Sequence, residues 1–281
     1  MTFFQAIILG LVQGLTEFLP ISSTAHLTLA GNLMGLIDPA NPEHWTAFIA
    51  VIQLGTLIAV LLYFSRDILS MIRDLISDVA RRGKSNNFQW SGNSKLALMI
   101  VVGTIPVVVV GLLFKHVIEG ALTKKVPVIA TSMIVLAVVL FIAERVGSRK
   151  RELNATTWLD GLWIGIGQCF ALIPGSSRSG TTITAGLFLG MTREAAARFS
   201  FLLSIPAVLA SGLLELWQMR HFISELGAAN LVVATVVSGI TGFLSIAFLL
   251  KYLRTHSTYV FIGYRLLLGG ILWWLVIAGI L

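Results

Sequence analysis

Two polar stretches, each opening with Pro-x-Ser-Ser, interrupt this chain: Pro20-Ile21-Ser22-Ser23-Thr24-Ala25-His26 and Pro174-Gly175-Ser176-Ser177-Arg178-Ser179-Gly180-Thr181-Thr182. They break the two segments 3–36 and 158–192, which are apolar on both sides of the break. Proline removes a backbone donor and glycine loosens a helix, so a break at membrane depth is stable only when protein or a wet cavity surrounds it. Each segment is therefore predicted to be a re-entrant helical hairpin.

The composition around these breaks is that of a membrane protein. The chain has 281 residues, 56% of them apolar and 12% charged, against about 25% charged in soluble domains. Segments of about 20 apolar residues can cross the hydrocarbon as helices. Six such spans are predicted at 46–65, 94–115, 126–146, 197–217, 229–251 and 259–281. The chain is thus predicted to be an all-α polytopic membrane protein with a single integral membrane domain, 1–281.

The charge pattern predicts a topology rather than a nucleic-acid partner. The formal net charge is +7, but most of the Lys and Arg residues are spread over short loops between spans, which positive-inside sorting explains. The predicted cytoplasmic loops are Arg66 to Lys84, Arg145 to Arg151 and Lys251 to Arg254, and the predicted outer loops carry Lys115, Lys124, Lys125 and Arg220. Both termini then lie outside. No basic residue precedes Arg66, so we expect no cleavable signal peptide.

The order of elements indicates an internal duplication. A hairpin followed by three spans occurs twice, in halves of about 1–150 and 151–281, and Gly10-x-x-Gln13 in the first half matches Gly165-x-x-Gln168 in the second. An odd number of crossings in each half makes the repeats inverted. Inverted repeats with broken helices bring half-helix N-termini together around an anion.

Gln13 and Glu17 precede the first break on one predicted helix face, because they are four residues apart. Glu17 is the first ionisable side chain of the chain. We expect it to bind a divalent cation that is shared with a phosphate substrate, with Gln13 as a neutral oxygen ligand. The alternative is a structural hydrogen bond from Glu17 to a neighbouring helix.

The first break itself carries hydroxyl groups and an imidazole. Ser22, Ser23 and Thr24 either bind substrate or cap the next helix. His26 follows Ser23 by three residues, so the two side chains are neighbours if the helix has begun. A nucleophile and base pair is then geometrically feasible, and a packed histidine is the alternative.

The second break carries an arginine between serines and glycines. The planar fork of Arg178 suits two phosphate oxygens at once. The neighbouring predicted donors are Ser176, Ser177, Ser179, Gly180, Thr181 and Thr182. No lysine follows Gly180, so the run is not a Walker A loop. A structural salt bridge from Arg178 to Glu17 is the alternative to a phosphate clamp, and Gln53 and Glu215 either touch the cavity or pack between helices.

The run Gln13 to His26, together with Pro174 to Gly180, resembles the bacterial undecaprenyl-diphosphate phosphatase family, also called bacitracin resistance protein, over essentially the whole chain. The resemblance implies an enzyme of the bacterial cytoplasmic (inner) membrane that removes the terminal phosphate of undecaprenyl diphosphate. This reaction regenerates the lipid carrier for peptidoglycan and other envelope glycans. The active cavity is then expected to face the outer, periplasmic side.

The same resemblance assigns roles to individual residues. The acidic motif of the family falls on Gln13 and Glu17, its serine and histidine on Ser23 and His26, and its essential arginine on Arg178. Because Gln stands at the first acidic position, binding of Mg²⁺ or Ca²⁺ is expected to depend mainly on Glu17 and the substrate phosphates. Ser23, His26 and a metal-activated water remain alternative nucleophiles.

Two rival functions stay open at this stage. Inverted repeats with broken helices also occur in transporters, so a polyprenyl-phosphate flippase or anion transporter is the alternative. The other class of membrane lipid phosphatase requires His and Asp after its arginine, and neither follows Arg178 here. The expected partners are a polyprenyl diphosphate and membrane lipids, and the sequence leaves open whether two copies form a homodimer.

Overall fold

The structure is a computed structural model that describes residues 1–38, 41–82, 88–114, 116, 118, 125–219 and 228–280. Eleven α-helices form the described part of the chain, joined by short 3₁₀ turns and one isolated backbone bridge between Arg151 and Met191. They are α1 (Phe3–Phe18), α2 (Ser23–Leu33), α3 (Pro42–Tyr63), α4 (Ser65–Arg81), α5 (Gly92–Leu113), α6 (Val126–Val146), α7 (Trp158–Cys169), α8 (Arg178–Phe188), α9 (Arg193–Met219), α10 (Ala228–Leu253) and α11 (Tyr259–Ile277).

Six of these helices contain a stretch long and apolar enough to cross a membrane. The stretches are His44–Tyr63, Gly92–Leu113, Val126–Val146, Arg193–Trp217, Ala228–Leu253 and Tyr259–Ile277. The six predicted spans are confirmed, with ends that agree within a few residues. The protein is therefore a multi-pass membrane protein. Of the loop residues used for topology, Lys84, Lys115, Lys124 and Arg220 lie outside the described residues.

Helix α4 occupies a segment that was predicted only as a cytoplasmic loop. It begins two residues after α3 ends, and Met71 on one face is buried. Leu69, Ile72, Ile76 and Val79 on another face are each more than half exposed. Exposed apolar residues on one face of a helix that also carries many charges are typical of an amphipathic interfacial helix. The helix is not apparent as an apolar stretch of the sequence, because its charged residues lower the mean hydropathy.

The two broken segments are each a pair of helices that meet at a Pro-x-Ser-Ser turn. Helix α1 ends at Phe18 and α2 begins at Ser23, while α7 is followed by a 3₁₀ turn and α8 begins at Arg178. The last residue before each second helix has a positive φ, 77° at Ser22 and 68° at Ser177. Both breaks therefore fall where the sequence predicted them, and both turns have the same unusual backbone conformation.

Close contacts between helix backbones hold these broken segments against the spans. A Cβ added at Gly14 of α1 would lie 1.8 Å from Thr241 Oγ1 of α10. One added at Gly165 of α7 would lie 2.2 Å from the carbonyl oxygen of Gly103 in α5. Only glycine allows such an approach, and close backbone contact is what drives helix association in lipid.

A buried ion cluster joins three helix ends near a predicted cytoplasmic loop. Glu144, at the end of α6, is fully buried and accepts a hydrogen bond from Arg193 Nε at 2.7 Å. Thr258 Oγ1, just before α11, donates to the same carboxylate at 2.8 Å, and Arg149 NH1 lies 3.3 Å away. A buried carboxylate is stable only when paired and hydrogen-bonded in this way. The cluster therefore fixes the ends of α6, α9 and α11 relative to one another.

Candidate functional site

Both breaks open onto one cavity of about 440 Å³. Six of the predicted site residues line it: Glu17, Ser22, Ser23, Thr24, Ser177 and Arg178. The rest of the lining is mostly apolar and comes from α5, the turn after α7 and α9: Val107, Val108, Gly111, Leu112, Ala171, Leu172, Ala207, Val208, Ala210 and Leu214. The cavity thus combines a polar floor with a wall suited to hydrocarbon. Gln53, Gln168 and Glu215 also line it.

Glu17 is the centre of the polar floor. Its side chain is almost fully buried, and its Oε1 accepts from the Arg178 guanidinium. Its Oε2 accepts from Gln13 Nε2 and Ser23 Oγ, both at 2.8 Å, and from Gln53 Nε2 at 3.5 Å. Each of these four partners donates to the carboxylate, so its two oxygens act as acceptors only. The salt bridge that was an alternative for Arg178 is present, and it joins the two breaks.

Ser23 and His26 do not form the pair that the spacing made feasible. Ser23 Oγ donates to Glu17, while His26 Nδ1 lies 2.7 Å from the carbonyl oxygen of Ser22. His26 Nε2 lies 2.6 Å from the Tyr264 hydroxyl, and the two rings stack. A carbonyl oxygen can only accept, so His26 Nδ1 carries a proton. The group positioned to take a proton from Ser23 is therefore Glu17.

The serines that directly precede the two helices, Ser22 and Ser177, have partners within their own turns. Ser22 Oγ accepts from the Ala25 amide at 3.4 Å, and Ser177 Oγ accepts from the Gly180 amide at 3.2 Å, so each caps a helix. Both helices begin at the cavity, since Ser23 and Arg178 line it. The partial positive charge of two helix N-termini therefore favours an anion there.

The remaining predicted donors of the second break lie behind the cavity lining: Ser176, Ser179, Gly180, Thr181 and Thr182. Ser179 Oγ donates to the carbonyl oxygen of Leu19 at 3.0 Å, which links the second break to the first. The hydroxyls of Thr181 and Thr182 donate to the Arg178 carbonyl oxygen at 3.0 and 2.7 Å. These residues hold the Arg178 turn in place.

Arg265, which the sequence predictions did not include, holds the two breaks from the other side. It is fully buried in α11 and donates to carbonyl oxygens of the first break at Pro20 (3.3 Å) and of the second at Gly175 (3.3 Å) and Ser176 (3.0 Å). A third element is reached through Met133 of α6, at 3.2 Å. The available signal was a lone basic residue within an apolar span, which marks a functional position by default.

The oxygen atoms of Glu17 and Gln13 could coordinate a cation that arrives with a phosphate. No cluster of three or more His, Cys, Asp or Glu side chains occurs among the described residues. Gln13 is fully buried, and its Oε1 has no hydrogen-bond partner in the described part of the chain. One carboxylate and one amide oxygen suit Mg²⁺, which usually keeps waters and shares substrate phosphates.

Comparison with known proteins places this sequence in a family. Residues 6–271 match the model of the bacitracin resistance protein BacA family. The undecaprenyl-diphosphatase of Syntrophobacter fumaroxidans is 55% identical over 277 residues, which cover 98% of each chain. The undecaprenyl-diphosphatase of Chlorobaculum tepidum is 52% identical over 278 residues, covering 96% of this chain and 95% of the relative. The undecaprenyl-diphosphatase of Chloroherpeton thalassium is 52% identical with the same coverage. This chain therefore belongs to the bacitracin resistance protein BacA family.

Proposed function

We propose that this protein hydrolyses undecaprenyl diphosphate to undecaprenyl phosphate and inorganic phosphate, and so returns the lipid carrier to envelope synthesis. The names of its relatives support this substrate. The observation that carries the proposal is the network of Glu17, Ser23 and Arg178 on the floor of a cavity with an apolar wall. A hydroxyl beside a carboxylate, an arginine and two helix N-termini are the groups that phosphoryl transfer requires.

The substrate is expected to place its prenyl chain along the apolar wall and its diphosphate on the floor. Arg178 then exchanges its bond to Glu17 for a bond to the terminal phosphate. Its guanidinium can contact two phosphate oxygens, and the N-termini of α2 and α8 add backbone donors. Because the floor is formed by both breaks, the diphosphate is held between the two halves of the chain.

In the proposed reaction Ser23 Oγ attacks the terminal phosphorus and its proton passes to Glu17 Oε2, which lies 2.8 Å away. The bond from that phosphorus to the bridging oxygen breaks, and undecaprenyl phosphate leaves with the electron pair. Water then attacks the phosphoserine, Ser23 recovers the proton from Glu17, and the proton that the water loses goes to solvent. His26 acts as a positioning residue, since it supports the carbonyl of Ser22 beside the nucleophile.

We propose Glu17 and Gln13 as the protein ligands of Mg²⁺ or Ca²⁺. The cation would supply charge neutralisation on the diphosphate. The Oε1 of Gln13, which has no partner among the described residues and lies beside the Glu17 carboxylate, supports this assignment. Glu17 becomes available to a cation once Arg178 turns to the phosphate.

We also propose that the two broken segments are re-entrant hairpins of inverted repeats in the bacterial cytoplasmic (inner) membrane, with the cavity toward the outer side. The matched turns at Ser22 and Ser177 support the repeat, because both have positive φ and both cap a following helix. The basic loops after α3 and α6 support the orientation. Accessibility of introduced cysteines to a membrane-impermeant reagent tests it.

Phosphate release by the purified protein in detergent tests the activity. Release from undecaprenyl diphosphate should require a divalent cation and should fall at least about 100-fold in Arg178→Ala, because the phosphate clamp is lost. Arg254→Ala is the matched control, since Arg254 forms an exposed ion pair with Glu194 away from the cavity. A folded wild type that releases no phosphate would overturn hydrolysis and would favour the transport alternative.

The nucleophile is tested separately by trapping. Single-turnover mixing, a denaturing quench at near-neutral pH that preserves both phosphoserine and phosphohistidine, and mass spectrometry should locate a phosphate on Ser23. The modified peptide should be absent from Ser23→Ala, while Ser70→Ala in α4 should behave as the wild type. Phosphate on His26, or no covalent species at any time point, would contradict the proposed role of Ser23.

A further inference from the structure

Gln168 is a buried side chain that lines the cavity. It is 1% exposed and lines the same cavity as Glu17 and Arg178. Neither its Nε2 nor its Oε1 has a hydrogen-bond partner among the residues that the structure describes. A buried amide normally has partners, because each unmet group is costly. Two unmet groups on one side chain that faces a cavity indicate a ligand.

The first half of the chain shows what the corresponding side chain does there. Gln13 stands at the same place in the Gly-x-x-Gln pattern as Gln168, and its Nε2 donates to Glu17, four residues later. The residue four positions after Gln168 is Leu172, whose side chain cannot accept a hydrogen bond. The amide of Gln168 has therefore lost the partner that its counterpart has.

The position of Gln168 in the chain relates it to the apolar wall. Ser23 and Arg178 form the floor, where the phosphorus under attack must lie. Gln168 belongs to α7 and comes one turn before Ala171 and Leu172, which form part of the apolar wall. A diphosphate with its terminal phosphate on the floor and its prenyl chain on the wall has its second phosphate between them.

We propose that Gln168 forms a second phosphate subsite, in which its amide Nε2 donates to the lipid-linked phosphate of the substrate. This inference rests on the proposed function, since it assigns the second half of the same ligand. The subsite holds the phosphate that stays with the lipid, whereas Arg178 holds the one that leaves. Of the two products, undecaprenyl phosphate should depend on Gln168 and inorganic phosphate should not.

Inhibition by the two products tests the subsite. In Gln168→Leu we expect the KM for undecaprenyl diphosphate and the inhibition constant of undecaprenyl phosphate to rise about tenfold, the usual cost of one bond to a charged group. The inhibition constant of inorganic phosphate and kcat should stay within about twofold, because the terminal site is intact. Gln168→Glu keeps the shape but repels the phosphate, so it should weaken undecaprenyl phosphate further. Gln89→Leu, at an exposed position between α4 and α5, is the control.

The outcomes separate this inference from the proposed function. Unchanged inhibition by undecaprenyl phosphate in both Gln168 variants would overturn the subsite while phosphate release by the wild type still stands. Equal loss for both products would also overturn it, because a general disturbance of the cavity affects them alike. If the wild type releases no phosphate, equilibrium binding of undecaprenyl phosphate to wild type and Gln168→Glu still decides the subsite. Gln168→Glu also carries the test if Gln168→Leu fails to fold.

Discussion

Replacing Arg265 by methionine should separate the two breaks and destabilise the protein. The guanidinium is fully buried and donates to five carbonyl oxygens on three elements at 3.0 to 3.5 Å. Methionine fills a similar volume but donates nothing. The carbonyl oxygens of Pro20, Gly175 and Ser176 then lose a donor inside the protein, where water cannot replace it.

The expected magnitude follows from these contacts. Hydrogen bonds to a charged group contribute about 1.5 to 3 kcal/mol each, but bonds that share one side chain are not additive. Removing the cation also removes the cost of burying it, which offsets part of the loss. We therefore expect Arg265→Met to lower the free energy of unfolding by about 3 to 5 kcal/mol, as when one partner of a buried charged network is removed. Arg265→Lys should lose less, since it keeps the charge but lacks the fork that reaches three elements.

Unfolding in mixed micelles of mild detergent and dodecyl sulfate, followed by tryptophan fluorescence, measures the change. Arg254→Met is the matched control and should cost less than about 1 kcal/mol, because its ion pair with Glu194 is exposed. Phosphate release should fall with stability in Arg265→Met, since both breaks contribute to the floor. A variant within about 1 kcal/mol of wild type that retains full activity would refute this role of Arg265.

Three further expectations test other parts of the structure. Gly14→Ala should lower the free energy of unfolding by about 2 kcal/mol or more, because its Cβ would lie 1.8 Å from Thr241 Oγ1. Gly263→Ala, where the added Cβ meets open space, should change it by less than about 0.5 kcal/mol. Thermal unfolding in detergent compares the two variants. Ser177→Ala should cost about 1 kcal/mol through loss of a helix cap and slow phosphate release, whereas Ser177→Asn should retain most of the stability. Removal of divalent cations with a chelator should reduce phosphate release, and titration with Mg²⁺ should restore it, with no change in an inactive Glu17→Gln variant.

Much of the fold follows from simple properties of the sequence. Length and hydropathy locate the six spans because the hydrocarbon thickness sets a minimum number of apolar residues. Pro20 and Pro174 locate the two breaks because a helix interior does not accept proline easily. Helix α4 was predicted only as a loop, since an amphipathic helix needs neither the length nor the mean hydropathy of a span.

The site was less predictable, because spacing along a helix does not identify partners across a turn. Ser23 is the first residue of α2, and the turn at Ser22, with its φ of 77°, directs the Ser23 hydroxyl back to Glu17 rather than on to His26. Tyr264 and Arg265 approach the breaks from α11, more than two hundred residues further along the chain than the first break. No local pattern relates these positions.

Inhibitors of this cavity should carry both charges. The ion pair of Glu17 and Arg178 leaves the resting floor nearly neutral, so a purely anionic mimic of diphosphate must first break a partly buried salt bridge. A zwitterionic head group could present an acid to Arg178 and a cation to Glu17 and replace both partners at once. Joined to a hydrocarbon tail that follows Val108 and Leu112, such a compound would bind the unliganded form of the cavity without having to separate Glu17 from Arg178 unaided.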